Sequence, residues 1–341
     1  MRNLTLTSFL ALIFLLSACS EYISEGDHFF IRSKGADMPA IVSGDMGSDV
    51  FIIFLHGGPG GNATTASFLP VFQELEEDYA LVYWDQRASG LSQGNPDPET
   101  FTVDQFVDDL DLLVDVINER YSSPKIFLFG HSWGGALGCA YLSTDDLQEK
   151  ITGFINTDSG HNLLEGLPKS VDWLEAHADS LINAGVRASY WQDVKLWCST
   201  NPDMTDADNY FEYADYIIES EAYLLEPDSS VKAEVGFDGV FLSYMSLAGF
   251  FNGPYLAERF NILELNLSPQ MSLINTPTAV FWGRHDGVNT LEMGWDAYNS
   301  IGDSNFIDKQ MVIFDNSAHQ PFLEEDEKFI REFKSFVENY R

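Results

Sequence analysis

The chain has 341 residues, 45% of them hydrophobic and 14% aromatic, which is enough to bury a sizeable core in one large α/β domain or one domain with an insertion. Against 18 Lys and Arg stand 53 Asp and Glu, a formal charge of −35. Such a surface repels phosphate backbones and argues against nucleic acid as a partner, and the hydrophobic content excludes a disordered chain.

The first element is an N-terminal segment set apart from the rest. Arg2 precedes the apolar run FLALIFLL at 9–16, which is followed by Leu16-Ser17-Ala18-Cys19. The run is too short for a stable membrane-spanning helix and reads as a signal-peptide core. Small residues ending in cysteine resemble the lipobox of bacterial lipoproteins. That resemblance implies cleavage before Cys19, lipidation of its thiol and an extracytoplasmic protein held to a membrane by the anchor alone. An ordinary secretory signal is the alternative. Residues 1–19 therefore stand outside the fold, with a short tether to about residue 27.

From there, short β-like runs alternate with helical patterns, as in a mostly parallel, doubly wound sheet. Strands are predicted at 28–32, 39–42, 50–55, 80–84, 125–129 and 153–156. A helix is predicted over 103–121, with apolar residues at 106, 110, 113, 114, 117 and 121. Residues 163–268 change in texture to Trp, Tyr, Asp and Glu with helical runs, which predicts a helical cap. Strands resume at 278–282 and 310–314, and an amphipathic helix closes the chain, so 26–162 and 269–341 form the core. Cys139 and Cys198 are the remaining cysteines, and nothing in their spacing demands a disulfide. No cysteine–histidine cluster has metal-site spacing, so a metal is not implied.

The strand at 125–129 runs straight into Gly130-His131-Ser132-Trp133-Gly134-Gly135. A strand ending in G-x-S-x-G and entering a helix is a nucleophile elbow, where the sharp turn at Ser132 leaves no room for side chains at Gly130 and Gly134. Serine needs a base, and the base needs an orienting acid. Downstream, the strand at 278–282 leads to Gly283-Arg284-His285-Asp286, and the strand at 310–314 leads to His319. Asp286 is the predicted acid and His319 the predicted general base. His285, Asp303 and Asp315 are weaker competitors, Asp315 being too close to His319 in sequence. An oxyanion needs two donors, and the backbone N–H groups of Trp133 and of Gly58, in His56-Gly57-Gly58-Pro59-Gly60-Gly61, are the candidates. His56 is expected to be a structural hydrogen-bonding residue under that loop. His161 either lines the cleft or is a polar loop residue.

HGGPGG at 56–61, DQRASGLS at 85–92, GHSWGG at 130–135 and WGRHDGVN at 282–289, together with the His319 loop, resemble the prolyl iminopeptidase branch of the α/β-hydrolases. The resemblance covers roughly 26–161 and 276–341. It implies hydrolysis through an acyl-enzyme at Ser132 without a cofactor, on the N-terminal residue of short peptides. Asp85, Gln86 and Arg87 would then support the site, Arg87 by bracing the oxyanion loop, with Gly57 beside it. The cap departs from the family, which places substrate-binding glutamates there. One follows a tryptophan in a W-x-x-W-E pattern, where this chain has Trp197-Cys198. The other would fall in LAGFF at 247–251. Glu219 or Glu221 is a substitute candidate. If only an apolar pocket remains, lined by residues such as Trp191, Trp197, Phe250 and Phe251, a carboxylic ester or lactone becomes the alternative substrate. A catalytically dead binding protein is the rival reading from another class, and the intact Ser132, Asp286 and His319 argue against it.

Overall fold

Several strands are apolar along their whole length, so they belong in the middle of a sheet covered on both faces. In a computed structural model, which describes residues 26–225, 261–303, 306 and 308–341, that is where they lie. The strands are β1 (Asp27–Ser33), β2 (Ala36–Gly44), β3 (Val50–Leu55), β4 (Ala80–Trp84), β5 (Gln93–Gly94), β6 (Lys125–His131), β7 (Gly153–Thr157), β8 (Thr278–Gly283) and β9 (Lys309–Phe314). They form one sheet in the order β1-β2-β4-β3-β6-β7-β8-β9, with β5 paired to β2. The β1–β2, β2–β4 and β2–β5 pairings are antiparallel, and all the others are parallel.

The pleat sorts the core into two layers. In β3, Phe51, Ile53 and Leu55 face one apolar cluster while Val50, Ile52 and Phe54 face the other. The first cluster is completed by helices α2 (Val103–Arg120) and α3 (Trp133–Leu142). The second is completed by α1 (Pro70–Glu76) and, at the end of the chain, the closing helix Asp326–Tyr340. On that second face Phe72, Phe129, Phe322 and Phe329 meet with ring centroids 5.6–6.4 Å apart. Each such ring contributes roughly 1.5–3 kcal/mol of burial.

Between β7 and β8 the chain leaves the sheet for α4 (Leu163–Asn183), α5 (Ala188–Cys198) and α6 (Ala207–Glu219). Their buried residues, among them Leu167, Val171, Trp191 and Tyr213, extend the first cluster rather than forming a separate core. Among the described residues the remaining α-helices are α7 (Leu291–Ser300), α8 (Pro321–Glu324) and α9, the closing helix. Residues 1–25, with Cys19, and 226–260, with Phe250, Phe251 and the whole of 247–251, lie outside the described residues. Cys139 and Cys198 are both buried and free.

Candidate active site

The parallel strands all point their C-terminal ends toward one edge of the sheet, and the predicted site residues follow those ends. β6, in the middle of the sheet, delivers Ser132. Ser132 adopts φ 55 and ψ −119 at the N-terminus of α3, a backbone conformation that costs a non-glycine residue about 1–3 kcal/mol. The turn is fastened from both sides: Ser132 N–H donates to Thr157 O at 2.9 Å and Gly135 N–H to Ser132 O at 3.0 Å. A Cβ on Gly134 would lie 1.8 Å from Leu55 O, so only glycine lets α3 pack across the end of β3.

β8 and β9 deliver the other two residues. His319 Nδ1–H donates to Asp286 Oδ2 at 2.8 Å, and both side chains are buried. Asp286 Oδ1 accepts the N–H groups of Val288 at 2.8 Å and Asn289 at 3.0 Å, so its carboxylate is fixed on both oxygens. The His319 loop is linked to the elbow through His131. Its Nε2–H donates to His319 O at 2.8 Å, and the two rings lie 4.9 Å apart. Burial, then the neighbouring His319, pushes His131 well below the ordinary imidazole range, which keeps it neutral for that role.

β3 ends at Leu55, and the loop 56–61 turns over the elbow. A Cβ on Gly57 would stand 3.2 Å from Ser132 Cβ and 3.3 Å from His131 Nδ1. Gly58 has φ +124. His56 lies beneath, as expected: its Nε2 accepts Gln86 N–H at 3.2 Å, so Nδ1–H donates to Gly57 O at 2.8 Å. Burial lowers the His56 pKa and favours this neutral form. Gln86 reaches further, accepting Trp133 Nε1–H at 2.8 Å and donating to His56 O at 3.3 Å, so one side chain joins the two halves of the predicted oxyanion site. Asp85 ties down the following turn, with Oδ1 accepting Ala63 N–H at 2.6 Å and Thr64 N–H at 3.0 Å, and Oδ2 accepting Leu91 N–H at 2.8 Å.

Arg87 does something else. Its Nε and Nη2 grip Asp109 of α2 at 2.5 and 2.8 Å, and its Nη1 donates to Thr100 Oγ1 at 2.8 Å. Arg87 and Asp109 are wholly buried. The expectation that Arg87 braces the oxyanion loop is therefore corrected. A guanidinium taken out of water needs a carboxylate partner, and the one in reach belongs to α2. Gln86 and His56 do the bracing instead.

The competitors fall away from the cluster. Exposed His285 faces Asp315 O at 3.1 Å, while the Asp315 carboxylate pairs with Arg284 at 2.6–2.7 Å. His161 is buried and bonds Asp296 at 3.0 Å. In the cap, Glu219 pairs with Arg187. Glu221 is exposed at φ 63. Trp191 packs on Tyr190 at 4.9 Å and Trp197 on Tyr216 at 5.2 Å, which accounts for both as packing within the cap. Among the described residues no group of three His, Cys, Asp or Glu is placed to hold a metal ion.

Two acids at the site escaped the sequence reading. Asp158, after β7, is buried with Oδ1 accepting Gly283 N–H at 2.9 Å. Burial and then the charge of Asp286 push its carboxyl well above the usual range, the direction that leaves the pair with a single negative charge. Glu324 of α8 accepts three backbone N–H groups, those of Leu225 at 2.6 Å, Ala318 at 2.9 Å and Gln320 at 3.2 Å. The signal for Asp158 was its place at the end of a strand; Glu324 offered none.

A family model described as the alpha/beta hydrolase fold matches residues 50–326, from β3 to the start of α9. The chain belongs to the α/β-hydrolase family. Among curated α/β-hydrolase relatives, the proline iminopeptidase of Saccharolobus solfataricus is 27% identical over 300 residues, covering 86% of each chain. That of Thermoplasma volcanium is 25% identical over 289 residues, covering 84% of this chain and 88% of its own. Solved structures share the fold at lower identity. The proline iminopeptidase of Mycobacterium smegmatis superposes with TM-score 0.61 at 17% identity, covering 92% of this chain and 98% of that one. A thermophilic esterase from Thermogutta terrifontis does so with TM-score 0.61 at 17% identity, over 93% and 99%. The family and these relatives identify a hydrolase.

Proposed function

We propose that the protein is a serine hydrolase working through an acyl-enzyme on Ser132, and that it is an aminopeptidase of the proline iminopeptidase type, releasing N-terminal residues from short peptides. His319 takes the Ser132 hydroxyl proton as the oxygen attacks the scissile carbonyl. Asp286 holds the imidazole in the tautomer that leaves Nε2 open to receive it. The N–H groups of Trp133 and Gly58 stabilise the tetrahedral oxyanion. Collapse expels the amine, which leaves with the proton from His319, and water then releases the acyl group by the same steps in reverse roles. The observation that carries this reading is the buried 2.8 Å contact of His319 Nδ1 with Asp286, joined through His131 to a serine in elbow geometry. The curated relatives' names support the peptidase over other serine hydrolases.

A carboxylic ester or lactone is the second reading. It is favoured by Cys198, which is buried in the cap where the family's pattern expects an acid to hold the substrate's α-amino group. The lipobox at Cys19 is part of the proposal: the enzyme acts outside the cytoplasm from a lipid anchor.

The test uses protein lacking residues 1–19, with Ser132→Ala beside it, against aminoacyl chromogenic amides including proline and against short nitrophenyl esters. Turnover of free-amine amides, absent with N-blocked analogues and at least about 10⁴-fold lower in Ser132→Ala, is the expected result. Ester turnover alone would move the assignment to the second reading. No turnover and no fluorophosphonate labelling would leave a binding protein.

A further inference from the structure

The predicted acid and base loops are held from the cap side by Ala222 and Tyr223, shortly before position 226. Ala222 O accepts Gly287 N–H at 2.9 Å, next to Asp286, and Tyr223 O accepts His319 N–H at 3.1 Å. Tyr223 OH also accepts Gln320 Nε2–H at 3.1 Å, and its ring lies 5.6 Å from the His319 imidazole. Tyr213 OH donates to Gly287 O from α6, so the cap grips the acid loop at both the N–H and the carbonyl of Gly287. Consecutive residues of one cap segment thus touch the acid loop and then the base loop.

Glu324 closes this arrangement. Its Oε1 takes the N–H of Leu225 in the cap, and its Oε2 takes those of Ala318 and Gln320 on either side of His319. A half-buried carboxyl is costly to desolvate, and a hydroxyl or a single amide oxygen could serve one of these segments but not bridge both. The two-oxygen group is what the geometry uses.

We propose that Glu324 is a positioning residue that fastens the cap segment 222–225 to the His319 loop, so that the base is aimed at Ser132 only while that segment is docked. This rests on the reading of His319 as the general base. The cap then does more than shape a substrate site: its attachment sets the rate of the chemical step.

Two variants test it, in the protein without residues 1–19. Glu324→Gln keeps size but puts an amide N–H₂ against a backbone N–H on one side. In assays above about pH 8, where Glu324 is ionised and both oxygens accept, this variant is expected to lower both kcat and the rate of fluorophosphonate labelling of Ser132 by about 10- to 100-fold, with KM changing less than about 2-fold. Leu225→Pro deletes the cap-side donor, together with the leucine side chain, and leaves the base-loop bonds of Glu324. It is expected to act in the same direction by about 3- to 10-fold, the worth of one hydrogen bond. Thermal unfolding establishes that each variant is folded, since a purely structural role would lower the midpoint and leave kcat per folded molecule intact. Wild-type kcat and labelling in folded Glu324→Gln would overturn the proposal. So would a loss in Glu324→Gln with none in Leu225→Pro, which would confine Glu324 to the base loop. If Glu324→Gln does not fold, Leu225→Pro decides alone. Full activity in His319→Ala would instead bring down the base assignment, whatever the two variants do.

Discussion

The sheet and the cap bury residues in different ways. In the sheet, β3, β4, β7 and β8 are buried at every position, and α2 buries Phe106, Val107, Leu110, Leu113, Val114 and Ile117 along one broad stripe. In the cap, α5 buries only Trp191, Val194 and Cys198, and α6 only Tyr213 and Ile217. The helices α5 and α6 thus have narrow seams and wide exposed faces, with Leu196, Phe211 and Ile218 open to solvent, whereas α4 buries seven residues along one face. A helix held by a narrow seam can be altered on most of its surface without loss of the fold, whereas the central strands β3, β4, β7 and β8 tolerate little change at any position. Charged groups that the core does bury, such as Arg87 and Asp109, are constrained by the partner each requires.

The largest effect should come from breaking one of those. Arg87→Met leaves Asp109 charged and unpaired inside the core, and stability in a denaturant titration should fall by about 3–5 kcal/mol. Activity per folded molecule should persist, because Arg87 touches α2 and not the oxyanion loop. A selective loss of kcat with unchanged stability would restore the bracing role.

The boundary between the two regions should respond to pH. Burial, and then the charge of Asp286, raise Glu324 from 4.5 to about 8. The folded chain therefore keeps a proton that the unfolded chain sheds above pH 4.5, so this group's contribution is complete below that value and is lost as pH rises to about 8. Asp158, also raised, acts with the same sign. Unfolding midpoints should decline across that window by less than the Arg87 effect, since Glu324 is only half-buried, and the decline should be shallower in Glu324→Gln. Equal slopes for the two proteins would remove Glu324 from the account.

The smallest effect belongs to the open face of the cap. Leu196, 67% exposed on α5, should accept serine with a change within about 0.5 kcal/mol by the same titration. A larger loss would mean that the exposed face of α5 is covered by something else.

The same contrast governs what could be read from the sequence. β3 and β4 coincide with their predicted limits, because a strand buried on both faces is a bare apolar run bounded by polar residues. β6 runs two residues past its prediction, through Gly130 and His131, because its pairing with Asn156 and Thr157 of β7 continues to the elbow. β5 was missed, since Gln93 and Gly94 carry no apolar pattern and pair with β2 only through tertiary placement. Ser132, Asp286 and His319 were legible because each sits just past a strand, and β6, β8 and β9 put all three at one edge of the sheet. Arg87 was misread although a clue existed: Asp109 interrupts the apolar stripe of α2, and a charge there needs a buried partner. Glu324 and Tyr223 were illegible because their contacts join segments about a hundred residues apart, 225 with 324 and 223 with 319.

One feature of the sheet bears on heat. Ser132 hangs from β6 in the centre, flanked by β3 and β7, while His319 hangs from β9, which among the described residues is paired on one side only and is partly exposed from Lys309 to Ile313. Fraying starts where a ladder has a single partner. Warming should therefore disconnect His319 from Ser132 while the middle strands are still intact, and the protein should stop working some degrees before it melts.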